Sequence, residues 1–564
     1  MDGVSRERAD GGPVIRVERK GAMQTPLLAV PPRTVADNAA VLVSDQHRTS
    51  HVALLAALLI GALARGWHVW GVDFPLNDGG LFYAMVRDIQ HAHYHLPAFT
   101  SYNGAHIPFG YSPLGFYLAG VLNDRGVDLL TLFRILPFAA STACIPAFYL
   151  LAREMLRSRA ALSAALIAFA IVPRGFVWLL MGGGLTRSFG YLFALLALHQ
   201  IWLLYTRRSL RHVPLATLFS ALTVLSHLGT APFVAFSALL FLLFRGRHRE
   251  GVLGSVLIGA GALVLTAPWW ATVISMHGIG PFLAARATGG SIFSDVAARH
   301  GSTLGVFVRL VFGNTGEGYF PVIWILALLG VVWCVRERRA LLPVWWAMIL
   351  LLDTRAGSTY AAAPVAMLAG ISSVHLIWPL LRRRERDGSR GAPRPLALAA
   401  VGVIVLASIV AAASSRGIFR NESGVLTALG PRDRAAMQWM AVHTDTSARV
   451  LVLTSSPWQI DKVSEWFPVL ASRTSLATVQ GSEWLPHRAF YTFIARQQRV
   501  ASCAKSGTTC LDSLRENPSL QFTHVYVPNG VGVRCCRLLL EALREDPRYQ
   551  VIHDDSAATI FARR

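Results

Sequence analysis

The chain contains 564 residues, of which 53% are hydrophobic and 15% charged. Its mean hydropathy of +0.44 excludes an ordinary soluble domain, because such a domain needs a polar, solvated surface. The formal net charge is +21, but the Arg residues stand in short clusters between apolar runs, which is typical of membrane topology signals and not of a nucleic-acid-binding face. The composition therefore predicts a polytopic α-helical membrane protein.

Apolar runs that are long enough to cross a bilayer begin at residue 51. Since a spanning helix needs roughly 20 apolar residues, the sequence predicts about eleven spans. They are placed at 51–71, 127–151, 160–180, 186–206, 213–228, 230–244, 251–275, 318–335, 340–354, 357–381 and 395–414. Arg65 interrupts the first span near its outer end, and we expect its side chain to snorkel to the surface.

Basic clusters fix the predicted orientation. Residues 1–50 are polar and lack the apolar core of a secretory signal, so they are predicted to form a disordered cytoplasmic tail. Five clusters follow, each separated from the next by two predicted spans: Arg153/Arg157/Arg159, Arg207/Arg208/Arg211, Arg245/Arg247/Arg249, Arg336/Arg338/Arg339 and the run RRRERDGSR from Arg382. Because cytoplasmic loops accumulate Lys and Arg, the N-terminus is predicted inside and the C-terminus outside.

The transmembrane domain, residues 51–414, would then carry two long loops on its outer face, at 72–126 and 276–317. A C-terminal extracytoplasmic domain, residues 415–564, is predicted to be a small α/β domain. Its strands are SARVLVLT, SLATV and THVYVP, its helices are RDRAAMQWMAVHT and CRLLLEALRED, and YQVIHDDSAATIFAR forms a closing hairpin. Soluble mass on one face suits an enzyme that acts there better than a carrier that alternates between faces.

Four of the six cysteines, Cys503, Cys510, Cys535 and Cys536, fall in the C-terminal domain. An extracytoplasmic domain faces an oxidising compartment, so one or two disulfides are expected there. Four cysteines can pair in three ways, and one of these includes a disulfide between Cys503 and Cys510. Adjacent cysteines such as Cys535 and Cys536 seldom bridge each other.

The first external loop begins with GVDFPLNDGG, which places Asp73 and Asp78 just outside the first span. The following LFYAMVRDIQ predicts an amphipathic helix that lies flat on the membrane. Its apolar face would consist of Leu81, Phe82, Met85 and Ile89. Asn77 or Asp78 would then cap the helix N-terminus. Alternatively, Asp78 is a catalytic carboxylate at the height of the lipid head groups, and the local sequence leaves both roles open.

The order of a first span, an acidic external loop, an interfacial helix, many further spans and an external domain resembles the GT-C class of integral-membrane glycosyltransferases. It is most similar to bacterial members related to protein mannosyltransferases and aminoarabinose transferases, and the sequence resemblance is concentrated in NDGGLFYAMVRDIQ and YNGAHIPFGYSPLGFYLAG. The resemblance implies a GT-C-like fold and a catalytic carboxylate in the first loop. Asp78 corresponds best to that carboxylate, Asp73 is the second candidate, and Asp88 is a poorer one.

The chain also departs from the class. It has no clean Asp-x-Asp, no adjacent Asp-Glu pair and no WWD motif, and APWWATV from residue 267 lies at a span end, where Trp is common. These departures argue against protein N-glycosylation and leave open whether a divalent metal, Mg²⁺ or Mn²⁺, binds at Asp78. The segment HAHYH is a weaker metal candidate, because it follows a helix and lacks Asp or Cys support.

A polyprenyl phosphate sugar needs little catalytic machinery, because its leaving group is already stable as an anion. One carboxylate can take the proton of an acceptor hydroxyl as its oxygen attacks the anomeric carbon from the opposite face, which gives inversion. The departing phosphate needs positive charge. Candidates for binding the substrate are Arg187, His227, Arg174, Arg355 and Asp88. Each of the basic ones either faces a cavity or snorkels to the interface; His227 and Arg187 are the strongest.

The tail segment SEWFPVLASRTSLATVQGSEW, which resembles tail segments of the same transferases, contains Glu465, Trp466, Arg473, Glu483 and Trp484. These residues either recognise an acceptor or pack the C-terminal domain onto the external loops, and packing is the favoured interpretation.

The resulting prediction is a membrane glycosyltransferase that moves a hexosyl or pentosyl group from a polyprenyl-phosphate donor to a lipid, polysaccharide or protein acceptor on the outer face of the cytoplasmic membrane. The alternative is a lipid-linked glycan transporter or flippase, which the one-sided soluble mass and the lack of an apparent internal repeat disfavour. A membrane-anchored scaffold would need far fewer spans. No nucleic-acid partner is expected.

Overall fold

The computed structural model describes residues 35–289, 315–317, 321–353, 355–384, 390–393, 426–486, 489–504, 506–529 and 536–564. It divides into two units, Met1–Thr49 and Ser50–Arg564, and the side-chain contacts below all lie in the second. The first helix, α1 (Val35–Trp70), begins inside the segment that was predicted to be a disordered tail. The run NAAVLV supplies helix-favouring Ala and Leu there.

Fourteen helices follow α1 up to the C-terminal domain within the described residues. They are α2 (Gly80–His91), α3 (Leu114–Asp124), α4 (Leu129–Met155), α5 (Arg159–Ile171), α6 (Val177–Leu180), α7 (Gly184–Arg207), α8 (Val213–Ser226), α9 (Ala231–Arg245), α10 (Arg249–His277), α11 (Gly280–Ala287), α12 (Val322–Arg336), α13 (Leu341–Leu352), α14 (Gly357–Ser372) and α15 (Trp378–Leu381).

The apolar helices coincide with the predicted spans. Within the described ranges, six helical segments are long and apolar enough to cross a membrane, and a bent pair would make a seventh. Three shorter apolar helices occupy Leu210–Ser226, Val322–Arg336 and Leu341–Leu352. The predicted span at 395–414 lies outside the described residues, so the total of about eleven crossings stays a prediction. The structure is a polytopic α-helical membrane protein.

The bent pair breaks the span that was predicted at 160–180. The axes of Arg159–Ile171 and Pro173–Leu180 differ by 76°. The proline that opens the second part has no N–H for the helical ladder, and it holds Val172 in an extended conformation. After the break, the N–H of Gly182 donates to the carbonyl of Leu76, in the loop that follows α1, at 2.9 Å.

Arg65 does not snorkel, so the expectation for this residue was wrong. The side chain is fully buried. Its Nε donates to Ser141 Oγ at 3.0 Å, and its Nη1 donates to the carbonyls of Gly61 and Ala170 at 3.0 and 2.8 Å. The guanidinium also lies over the Phe176 ring, 4.6 Å from its centroid. Since α4 and α5 turn polar groups inward at this level, Arg65 ties three helices together instead of reaching the surface.

The C-terminal domain is built on a five-stranded sheet in the order β6–β5–β7–β9–β8, with β5 parallel to both neighbours and β9 antiparallel to both of its own. The strands within the described residues, in chain order, are β1 (Phe99–Thr100), β2 (Ile107–Pro108), β3 (Arg382–Arg384), β4 (Arg390–Pro393), β5 (Arg449–Val452), β6 (Thr474–Ser475), β7 (His524–Pro528), β8 (Tyr549–Asp554) and β9 (Ala558–Arg563). The helices are α16 (Pro431–His443), α17 (Lys462–Leu470), α18 (Ala489–Cys503), α19 (Thr508–Arg515) and α20 (Arg537–Glu545).

This sheet has an apolar cluster on each face, because alternate strand residues point to opposite sides. Val450 and Tyr526 belong to one cluster, and their neighbours Leu451 and Val525 belong to the other. The structure has the strands predicted in SARVLVLT and THVYVP, the two predicted helices and the closing hairpin. The strand predicted at SLATV was wrong, because β6 is Thr474–Ser475 and shares only Ser475 with that segment. The fold is a helical membrane region with a C-terminal α/β domain.

The structure contains a disulfide between Cys503 and Cys510, whose Cα atoms are 5.4 Å apart. Cys536 is also disulfide-bonded. Among the described residues, the buried Cys144 and Cys334 are free thiols in α4 and α12.

Helix α2 presents the predicted apolar face, but that face is covered by protein and does not lie on the membrane surface. Leu81, Met85 and Ile89 are buried, and the helix packs against α3 and α17. The aromatic residues of the loop and of the C-terminal domain cover this face. The two outer pieces are also joined by paired hydrogen bonds between Asn103 and Ser475, at 2.9 and 2.7 Å, so they lie on the same side of the molecule.

Candidate functional site

The segment that carries Asp78 is held between the membrane region and the C-terminal domain. The N–H of Asn77 donates to the carbonyl of Thr427 at 2.9 Å, and the carbonyl of Leu76 accepts from Gly182 on the opposite side. Asn77 and Gly79 have φ angles of 54° and 127°. The second of these values is strained for any residue with a Cβ, which explains the first glycine of the NDGG motif.

The Asp78 carboxylate lies at the N-terminus of α7. Its Oδ1 accepts from the N–H of Gly183 at 2.8 Å, and its Oδ2 accepts from Arg187 Nη2 at 2.5 Å. Only 17% of the Asp78 side chain is exposed. The carboxylate therefore contacts both the N-terminal end of a helix and a guanidinium, two groups that attract negative charge. Neither Asn77 nor Asp78 caps α2 through its side chain, because the N-cap is Gly79. The capping interpretation of Asp78 is therefore wrong.

Gly182 and Gly183 lie so close to Asp78 that a side chain at either position would displace it. A Cβ on Gly182 would lie 2.0 Å from the main-chain oxygen of Asp78, and a Cβ on Gly183 would lie 2.7 Å from Asp78 Oδ2. Gly182 and Gly183, which follow the broken span, therefore leave room for the Asp78 carboxylate at the N-terminus of α7.

Arg187 and His227, the two strongest basic candidates, lie on adjacent elements. The Arg187 guanidinium lies over Trp178, 5.2 Å from the ring centroid, and its Nε is buried without a hydrogen-bond partner among the residues described. His227 packs against Gly190, one turn further along α7. Its Nδ1 bonds to Thr230 Oγ1 at 2.8 Å, with the tautomer left open. The buried donor of Arg187 suits an anion that enters the site.

The other two basic candidates lie at neighbouring span ends. Arg355 stacks over Trp458 of the C-terminal domain, 5.4 Å from the ring centroid. Trp458 precedes Gln459, whose carbonyl accepts from the Asn77 side chain at 3.3 Å. Arg174 donates its backbone N–H to Thr315 at 3.1 Å. Arg355 therefore reaches the surroundings of the Asp78 loop, and Arg174 lies beside residues 315–316.

Asp73 and Asp88 make different contacts. The Asp73 side chain is 66% exposed and pairs with Arg434 of α16 at 2.5 Å, and this hydrogen bond lowers the pKa of Asp73. Asp88 accepts from Thr100 Oγ1 at 2.6 Å and from the N–H of Ser101 at 2.9 Å, which fixes the turn after β1. Asp78 is thus the first-loop carboxylate that the structure brings to Arg187.

Glu465, which was predicted either to recognise an acceptor or, preferably, to pack the C-terminal domain, lies in the surroundings of Asp78. Its Oε1 accepts from the N–H of Gly79 at 2.9 Å, and the residue is 6% exposed. Burial, followed by the negative charge of Asp78, raises the pKa of Glu465 to about 8. The neighbouring Trp466 donates from Nε1 to the carbonyl of Asn77 at 3.0 Å. A helix of the C-terminal domain therefore completes the surroundings of Asp78.

The other residues of that tail segment do pack the domain. Glu483 accepts a hydrogen bond from Tyr111 of the first loop, and Trp484 contacts the Tyr111 ring. Arg473 donates to the carbonyls of Ala441 and Thr444 at the end of α16. The segment thus serves both the site and the interface.

The described residues do not fit a divalent metal at Asp78. The Arg187 guanidinium already places a positive charge against Asp78, and burial raises the pKa of Glu465, the neighbouring carboxyl. Mg²⁺ and Mn²⁺ favour several ionised oxygen ligands. Across the described ranges, which include HAHYH, no group of three or more His, Cys, Asp and Glu side chains could hold a metal. The positive charge beside Asp78 belongs to Arg187.

No protein-family model matches the chain, and no curated protein matches it in sequence. Solved structures do match. The chain is similar to the archaeal oligosaccharyltransferase AglB from Archaeoglobus fulgidus, in complex with an inhibitory peptide and a dolichol-phosphate, over 85% of this chain and 69% of that one, with a TM-score of 0.54 and 16% identity. It is also similar to ArnT from Cupriavidus metallidurans bound to undecaprenyl phosphate, over 91% and 97% of the two chains, with a TM-score of 0.50 and 14% identity.

These likenesses define the fold as that of the GT-C class of integral-membrane glycosyltransferases. The sequence resemblance predicted this fold, and the structure confirms it. At this level of identity the comparison establishes the fold, and the activity has to be argued from the site.

Proposed function

We propose that this protein transfers a sugar from a polyprenyl phosphate to an acceptor hydroxyl on the outer face of the cytoplasmic membrane, with inversion and with Asp78 as the base. The observation that carries the proposal is the Asp78 carboxylate itself, which is partly exposed and oriented by Gly183 and Arg187. The GT-C neighbours support it, since AglB was solved with a dolichol-phosphate and ArnT with undecaprenyl phosphate.

The reaction requires one proton transfer and one displacement. The acceptor oxygen attacks the anomeric carbon, its proton passes to Asp78, and the bond from that carbon to the phosphate oxygen breaks, which releases polyprenyl phosphate. Each Asp78 oxygen retains a lone pair for the acceptor hydroxyl beside its present hydrogen bond. Arg187, with His227 and Arg355 nearby, supplies positive charge and hydrogen-bond donors for the departing phosphate. No metal is needed for this sequence of steps.

The orientation in the membrane is part of the proposal. The contacts of the Asp78 loop with the C-terminal domain require both to lie on one side. The Arg clusters favour the extracytoplasmic side for that face, with a cytoplasmic N-terminus. Donor lipid and acceptor would then meet at head-group height.

The test is the Asp78→Asn variant, assayed as purified protein with a labelled polyprenyl-phosphate sugar and a panel of lipid, glycan and peptide acceptors. Transfer should fall by at least about 1,000-fold, because the amide cannot take the proton. Asp124→Asn, which changes an exposed carboxylate of the same loop, is the control and should keep full activity. A fully active Asp78→Asn variant would remove the base from the mechanism, and transport of the intact donor without bond cleavage would favour the flippase.

A further inference from the structure

The carboxyl group of Glu465 connects the C-terminal domain to the peptide that follows Asp78. Its Oε1 accepts a hydrogen bond from the Gly79 N–H at 2.9 Å. This N–H is part of the peptide bond between Asp78 and Gly79. The helices on either side are in tight contact, since a Cβ on Gly80 would lie 2.6 Å from the main-chain oxygen of Glu465. Tyr102 donates to that same oxygen at 2.6 Å. The position of Glu465 is therefore fixed relative to Asp78.

The charges around Glu465 disfavour a second anion. Among the described residues, Asp78 and Glu483 are acidic groups that act on it, Arg187 is a basic group that does so, and the titratable Tyr102 hydroxyl lies beside it. Arg187 is already paired with Asp78, so one guanidinium would have to balance two adjacent carboxylates. The N-terminus of α2 and the Gly79 amide favour the ionised form, but burial and the nearby Asp78 charge oppose it more strongly.

We propose that Glu465 is a positioning residue that works as a neutral carboxylic acid: it holds the Gly79 amide, and thereby Asp78, and its ionisation disables the site. This inference rests on the proposed function and adds an alkaline limit to it. A neutral carboxyl keeps a carbonyl-type oxygen as acceptor for Gly79 without adding charge beside Asp78. An ionised one would repel Asp78 and compete with it for Arg187.

The pH dependence follows from the direction of the shift. Burial and Asp78 raise the pKa of Glu465 to about 8, so the neutral form predominates at pH 7 and becomes the minor form at pH 9. A single ionisation of this kind predicts a roughly tenfold fall in transfer rate between pH 7 and pH 9. The folded-state pKa lies above the ordinary value of 4.5, so the stability that the neutral form contributes is complete at low pH and is lost as the pH rises to about 8.

Three variants of the full chain test the proposal. Glu465→Ala removes the acceptor for Gly79 and should lower kcat about 100-fold, with a smaller change in KM. Glu465→Gln keeps a neutral carbonyl oxygen and should rescue kcat to within about fivefold of the wild type, with no fall up to pH 9. Glu516→Gln, at an exposed position of the C-terminal domain, is the control and should retain the wild-type pH profile.

Either of two results would overturn the role. One is a Glu465→Ala variant with wild-type kcat; the other is a Glu465→Gln variant that is no more active than Glu465→Ala or that keeps the alkaline fall near pH 8.

Thermal unfolding gives a readout that does not need substrate. The unfolding midpoint of Glu465→Gln should rise relative to the wild type between pH 5 and pH 8, and a constant difference would contradict the neutral state. If the wild type transfers no sugar, the proposed function fails, and the unfolding curves still decide the state of Glu465.

Discussion

Gly182 lies where the broken span meets the Asp78 loop, and a methyl group has no space there. An ideal Cβ would lie 2.0 Å from the main-chain oxygen of Asp78, whereas real Cβ contacts are essentially never shorter than 3.0 Å. The opposing atom is backbone and is fixed further by the hydrogen bond from Gly182 to Leu76. In a Gly182→Ala variant the two backbones must therefore separate by about 1 Å.

A displacement of this size acts directly on the proposed base. Misplacing a catalytic group by about 1 Å lowers the rate on the order of 100-fold. The overpacking itself costs about 1–3 kcal/mol, which is small enough for the protein to fold. We expect Gly182→Ala to lower kcat/KM about 100-fold and to lower the unfolding midpoint by a few degrees.

The assay is turnover of a labelled polyprenyl-phosphate sugar by the purified variant, with thermal unfolding followed in parallel. Gly280→Ala is the matched control, because nothing lies within 4 Å of a Cβ at that position, and it should behave as the wild type. Gly182→Ala with kcat/KM within threefold of the wild type would show that the Asp78 backbone can move without consequence. The geometric basis of the site would then be refuted.

Other substitutions probe separate parts of the structure. Arg187→Lys keeps the charge but loses the planar fork, and we expect a loss of at least tenfold in kcat, whereas an unchanged kcat would dissociate this residue from phosphate departure. Arg65→Met should lower the free energy of unfolding by about 2–4 kcal/mol, measured by thermal unfolding, because three acceptors lose their donor. Asp73→Asn should change the transfer rate less than threefold, and abolished transfer would identify Asp73 as the base. Reduction of the Cys503–Cys510 disulfide should destabilise the C-terminal domain by about 2–3 kcal/mol, and alkylation of these thiols without a reductant would contradict an extracytoplasmic position.

Features that repeat along the chain could be predicted from the sequence. The apolar runs place the helices, and the strand patterns of the C-terminal domain place its sheet, because both depend on local periodicity. Asp78 and Arg187 were each recognisable, one as a carboxylate after a span and the other as a charge inside an apolar run. Their mutual contact was not, since it depends on the break at the end of the bent span and on the close approach that the following glycines allow.

Other properties depend on partners that are distant in the chain. Glu465 was visible as an acid beside a tryptophan, but 386 residues separate it from Gly79. Arg65 was expected at the surface because its polar partners stand on α4 and α5 and no local pattern announces them. The helix after Gly79 was expected on the membrane because the amphipathic pattern does not distinguish a lipid surface from a covering domain.

The hydrogen bond from Gly79 to Glu465 also bears on biosynthesis. The ribosome synthesises the Asp78 loop long before α17. The membrane helices can therefore insert and pack before Glu465, the hydrogen-bond acceptor for the Gly79 N–H, has been made. The surroundings of Asp78 are therefore complete only after the C-terminal domain has been synthesised and folded. A chain truncated before α17 should remain inert even when its membrane helices are correctly inserted.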